Sequence, residues 1–177
     1  MIHPTLVRPP SYPDEVADDL HRWPDAGHAL LAELAAARGR TALIAATPFA
    51  ADGLVERLRD DLDLTVVSLG QALADRKEPP TGDEIALASA NATVITDIDL
   101  LFWPTSPARA LPILTAHARH RPTIAVWPGQ ISSGRATYSA LGRPDHQDFA
   151  VRDVIILRPR TTRFPDEVPF SIERILP

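Results

Sequence analysis

The chain has 177 residues, 45% of them hydrophobic and 23% charged, with a net charge of −5 and no cysteine. A chain of this length folds as one domain that buries roughly 70% of the surface its unfolded form exposes, and the lack of thiols excludes disulfides, thiolate metal sites and cysteine nucleophiles. The acidic balance disfavours a dedicated duplex binder, which works by neutralising phosphates. No apolar run approaches the ~20 residues of a membrane span, and the opening MIHPTLVRPP has no basic region leading into an apolar stretch, so a soluble cytoplasmic protein without a signal peptide is expected.

Residues 1–13 hold four prolines and read as an extended arm. From Asp14 to Arg38 the apolar spacing is helical, with Val16, Leu20 and Trp23 followed, after a first-turn Pro24, by Leu30, Leu31 and Leu34. Gly39 is the stop. Residues 1–39 thus form an N-terminal arm and helix packed on an α/β domain spanning 40–177. Thr41 to Thr47 is a buried strand, followed by a helix over Ala51 to Asp60. Leu64 to Ser68 is a second strand. Leu69 to Asp75 is helical, KEPPTG is a loop, and Asp83 caps a helix through Ala90. Ala92 to Asp97 is a third strand. Ser106 and Pro107 read as a cap and first-turn pair opening a helix to His120. Thr123 to Trp127 is the fourth strand, Gly129 to Gly142 is turn-rich with a hairpin through Tyr138, and Val151 to Leu157 is the fifth. Phe170 to Ile175 adds an edge strand. Unbroken apolar strands separated by helices predict a doubly wound, mainly parallel five-stranded sheet, with ligands at the carboxyl ends of the strands.

At those ends the chemistry is thin. A phosphate-binding loop needs GxxxxGK[ST]: glycines so that backbone N–H groups cradle phosphates, lysine to neutralise them, and a hydroxyl on magnesium. Here the first strand runs into ATPFAADGL, where Gly53 is the one glycine and Arg57 the first cation. The third strand ends ATVITDIDLLF, so Asp97 or Asp99 stands where a magnesium-holding acid would, without a glutamate beside it. GQISSGRAT, from Gly129, has two glycines at phosphate-loop spacing but Arg135 for lysine and Ala136 for the hydroxyl, and reads as a glycine-rich hairpin. His117 and His120 lack a third metal ligand and are flanked by Arg119 and Arg121. Asp145, His146 and Asp148 with Ser132 or Ser133 form a hydrolase triad only on paper, since no GxSxG elbow is present. Phe102, Trp103 and Trp127 follow strands and offer an apolar docking surface, with buried loop anchors as the alternative. Seventeen of the 18 basic residues are arginine, which a GC-rich genome explains and which phosphate binding would also explain.

The stretch DIDLLFWPTSPARALPILTAHARHRPTIAVWPGQISSGRATYSALGRPDHQDF, from Asp97, resembles BrxF proteins, small P-loop-fold components of type 3 BREX phage-defence systems. An acid-bearing strand running into LLF, a helix ending HRPTI, a strand ending WPG and a Tyr-bearing segment leading to RPDH carry the resemblance, and VVSLGQALADRKEPP extends it over roughly residues 40 to 158. The resemblance implies a P-loop NTPase-like fold with strand order fifth, first, fourth, third, second, and a place among other BREX-system proteins. The family's phosphate loop would fall on Thr47 to Leu54 and its acids on Thr96 to Asp99. The expectation is therefore a non-hydrolysing accessory subunit working by protein contact, with a degenerate nucleotide site at Thr47, Gly53, Asp97 and Asp99 that binds ATP and magnesium weakly if at all. Phe102, Trp103, Trp127, Arg119, Arg121 and Arg135 are its candidate partner contacts. The rivals are an active NTPase of the same system using Asp97, and a DNA-contacting module using Arg119, Arg121 and Arg135.

Overall fold

The computed structural model describes residues 22–105 and 109–176. The extended arm, the expected helical turns at Val16 and Leu20, and the Ser106–Pro107 cap lie outside them.

Helix α1 (Asp25–Ala36) opens the described chain, and strand β1 (Thr41–Ala45) leads into α2 (Pro48–Leu62). Strand β2 (Val66–Ser68) feeds the short helix α3 (Leu69–Ala72), and α4 (Gly82–Ala88) precedes β3 (Val94–Thr96). A 3-10 helix over Ile98–Phe102 follows, then α5 (Ala110–Ala118) and β4 (Ile124–Trp127). Strands β5 (Gln130–Ser132), β6 (Arg135–Tyr138) and β7 (Gln147–Ala150) come next, and β8 (Val154–Pro159) and β9 (Phe170–Ile175) close the chain.

The protein is α/β, with a mainly parallel sheet of six strands and a separate three-stranded antiparallel sheet. The large sheet has the order β2-β3-β4-β1-β8-β9. Its five parallel strands stand in the order expected, β1 lying between β4 and β8. The sixth, β9, runs antiparallel on β8, so the tail completes the sheet and five strands become six. The second sheet, β5-β6-β7, is wholly antiparallel and larger than the single hairpin expected.

Period-two alternation gives the large sheet two apolar faces. Ala42, Ile44, Val94, Ile124, Ile155 and Leu157 point into a core with α1 and α2. Leu43, Ile95, Ala125, Trp127, Val154 and Ile156 point into a second core, closed by α3, α4, α5 and the small sheet. Trp23 is not helical: its N–H donates to the Asp166 carbonyl and its ring packs edge-on against Phe170 at 6.0 Å. Pro24 stands at the N-cap of α1. The cap of α4 is Thr81, not Asp83, because T-x-x-E closes a reciprocal box: the Thr81 N–H donates to Glu84 Oε2 at 2.8 Å and the Glu84 N–H to Thr81 Oγ1 at 3.4 Å.

Two glycines fix the small sheet. Ser133 and Gly134, both at positive φ, form the two-residue turn between β5 and β6, the geometry that matches strand twist in a hairpin. At Gly129, in the link between β4 and β5, a Cβ would stand 1.8 Å from the Thr137 carbonyl oxygen, so only glycine lets this link pass so close to β6.

Candidate functional site

The connections at the carboxyl ends of the parallel strands form one edge of the molecule. Between β1 and α2 there are only two residues, Ala46 and Thr47. Thr47 is the N-cap of α2, extended at φ −65° and ψ 154°, and its side chain caps nothing. Pro48 opens the helix, where its missing N–H is tolerated. Such a link has no spare backbone to wrap a phosphate. Gly53 is not in a loop, as a nucleotide-binding glycine must be, but inside α2. A Cβ there would meet nothing within 4 Å, so no close approach of a ligand or chain explains the glycine.

Arg57, the first cation after β1, is committed elsewhere. It bonds to Asp61 (3.2 Å), to Thr162 Oγ1 and to the carbonyls of Pro165 and Glu167, and lies 5.1 Å over the Trp23 ring. These contacts tie α2 to the segment between β8 and β9. A cleft of about 630 Å³ opens here, with Phe49, Gly53, Arg57, Arg160 and Thr162 in its wall.

Asp97 and Asp99 are both exposed beyond β3. Asp97 takes a left-handed backbone at φ 50° and accepts from the Thr96 hydroxyl at 3.3 Å. Asp99 accepts from the Tyr138 phenol at 3.4 Å. Ser68, at the end of β2, caps α3 by accepting from the Gln71 N–H at 3.0 Å. A second cleft, of about 480 Å³, lies between the 3-10 helix and the small sheet, walled by Asp99, Trp103, Tyr138, Arg143 and Asp145. Burial, then the carboxylates of Asp99 and Asp145, push the Tyr138 phenol above its ordinary value. The Ser139 hydroxyl and Arg143 hold Asp145 below the usual carboxylate range.

Of the three aromatics expected on the surface, only Trp103 is there, at 39% exposure. Phe102 (1%) and Trp127 (0%) are core. Trp127 meets Phe102 and Phe149 edge-on at 5.4 and 6.0 Å and donates Nε1–H to the Thr137 carbonyl at 3.1 Å, and Phe102 stacks on Tyr138 at 3.9 Å. Folding the small sheet over this face covers both. The sequence reading missed two exposed aromatics, Phe164 at 61% and, most of all, Phe49 at 90%; Phe49 stands at the carboxyl edge. The signal for Phe49 is helical phase: Ala51, Leu54, Val55, Leu58 and Leu62 form the buried stripe of α2, and Phe49 lies two positions from Ala51, near the opposite face.

The remaining candidates separate. Arg135 is held by Asp148, with Nη2 at 2.7 Å, on the hairpin beyond the carboxyl end of β4, whereas Arg119 and Arg121 flank its amino end, so the three do not form one strip. Both ring nitrogens of His117 are occupied, Nδ1 with Thr123 Oγ1 at 2.8 Å and Nε2 with the Ser89 carbonyl at 2.9 Å. Among the described residues no three metal-ligating side chains come together. Asp145 accepts from Ser139 and the His146 ring contacts the Ser139 carbonyl, so the paper triad with Ser132 or Ser133 is not assembled. Among the described residues no helix is long and apolar enough to cross a membrane.

The chain is thus an α/β protein with two open clefts at the carboxyl edge of a mainly parallel sheet. Comparison with protein-family models, with curated proteins and with solved structures gives no match.

Proposed function

We propose that this chain is a non-hydrolysing accessory subunit of a multi-protein BREX-type antiviral assembly, a doubly wound P-loop-like domain whose carboxyl edge docks protein instead of nucleotide. The observation that supports this most is the two-residue link between β1 and α2 within a sheet of the order β8-β1-β4-β3-β2. The link has no lysine, no glycine and no slack, while the exposed rings of Phe49 and Trp103 flank the same edge. Aromatic residues of this kind, beside arginines, are what binding hot spots favour.

A thermal melt with and without Mg-ATP tests the nucleotide half. A cradle whose Kd lay 100-fold below the added ATP would add about 2.7 kcal/mol, or about 5–11 °C. Here the expected gain is at most about 0.4 kcal/mol, a shift of about 2 °C or less. A reproducible shift above about 5 °C together with Mg-ATP turnover would establish the NTPase rival. The docking half is tested by co-expression with the methyltransferase, PglZ-like phosphatase and large ATPase of such a system. A complex with one of them that Phe49→Ser or Trp103→Ala weakens is the expected result. No complex with any of them overturns the reading.

A further inference from the structure

We propose that the opposite, amino-terminal edge of the large sheet carries a binding site for a compact inorganic phosphate anion of the pyrophosphate class. A cavity of about 270 Å³ opens there between the end of α1 and the end of α5. Arg38, Arg119, His120 and Arg121 line it, with Leu34, Ala118 and Pro122 as backing, and no carboxylate lines it. Among the described residues none of these three arginines forms an ion pair, although eight other arginines do.

The cations are not needed as helix caps. Arg38 and Arg119 do follow the C-termini of α1 and α5, where the helix dipole favours positive charge. Backbone donors already take the last three carbonyls of α5, however, and one near the end of α1, Glu33, which accepts from the Ala37 N–H. The Gly39 N–H donates to Ala118, Arg40 to Ala37, Arg119 to Ala116 and His120 to His117. Two dipole ends offset roughly one of the three guanidinium charges, leaving a local excess of about two on a chain whose net charge is −5.

Ligand class follows from size and charge. Organic ligands occupy clefts of about 300–1,000 Å³, and this cavity falls below that range. Guanidinium forks match phosphate oxygens two at a time, and three forks around one small hollow suit two linked phosphates. A long duplex is disfavoured by the chain's net negative charge, and Arg135, which lies beyond the other end of β4 and is paired with Asp148, adds nothing to this cluster.

The test is isothermal titration of the full chain with sodium pyrophosphate at low ionic strength, without magnesium, which would itself neutralise the anion. Saturable one-to-one binding is expected. Arg38→Ala and Arg119→Ala, both at exposed positions, each weaken it by at least about tenfold, the scale of one charge-assisted hydrogen bond. The exposed Arg163→Ala leaves it unchanged, and unaltered melts establish that all three variants are folded. Absence of binding at millimolar pyrophosphate overturns the proposal, as does binding that survives both substitutions. Duplex binding that the same variants weaken and that pyrophosphate does not displace also overturns it, assigning the cluster to a nucleic-acid backbone.

Discussion

Replacing Gly129 by alanine tests whether the small sheet is held against the large one by close backbone approach. The backbone of Gly129 is not left-handed, so alanine would ordinarily gain stability there, about 0.4–1 kcal/mol through the unfolded chain. Space decides otherwise. The added methyl would lie 1.8 Å from the Thr137 carbonyl oxygen, well inside the ~3.5 Å of an ordinary contact, and that atom is backbone and cannot rotate away. Pushing the β4–β5 link away from β6 also pulls the Thr137 carbonyl from the Trp127 Nε1–H, a 3.1 Å bond whose indole is fully buried. Overpacking costs about 1–3 kcal/mol and a buried donor left unmade about 1–3 kcal/mol. The expected net loss is therefore about 3 kcal/mol, a large part of the ~5–15 kcal/mol of a typical domain. For this chain length that lowers the melting midpoint by about 6–12 °C, read by near-ultraviolet dichroism, where Trp127 reports. A midpoint within 2 °C of the parent would mean that the small sheet moves freely on the large one, and the reasoning fails.

Gly53→Ala carries the opposite sign: an exposed helical glycine with open space around it should gain about 1 kcal/mol, and a drop in the midpoint would show that the glycine serves a contact. Burial, with added repulsion from Arg121 and His120 and some relief from the Ser89 carbonyl, holds the His117 imidazole below its ordinary value. The unfolded chain therefore takes up the proton first as pH falls through about 6.5, stability declines below that pH, and His117→Gln should flatten the acid side of a denaturation series. If the slope is unchanged in the variant, another group carries it. The Arg174 side chain bonds Glu33 in two-pronged fashion at 2.7 and 3.0 Å and, first among the causes, holds its carboxyl below the ordinary range. That contribution is present above the ordinary glutamate value and lost as pH falls through the lowered one. Because Arg174 is half exposed, Arg174→Ala should cost less than about 1 kcal/mol by urea titration, and a larger loss would mean that the pair anchors α1 on β9.

The parallel strands were legible because each is a short apolar run whose burial needs no distant partner to explain it, and TALIA and VIILRP stand out on those grounds alone. The Thr81–Glu84 box was equally legible and was overlooked for the acid two positions on. Trp127 was not legible. Its position after a strand suits either a surface anchor or a core residue, and the choice rests on β7, twenty residues later, bringing Phe149 to its edge. The turn between β1 and α2 differs from a phosphate loop in a way that residue identity only partly conveys. A missing lysine or glycine weakens a cradle, but the cradle itself is spare backbone whose N–H groups turn inward. With β1 ending at Ala45 and α2 beginning at Pro48, the chain spends that backbone on helix. Ala51 and Leu54 in the first turns of that helix pack α2 onto the sheet. Introducing a lysine by substitution would place a charge on a helix face without creating a loop, which supports the proposal that the carboxyl edge of this sheet serves protein and not nucleotide.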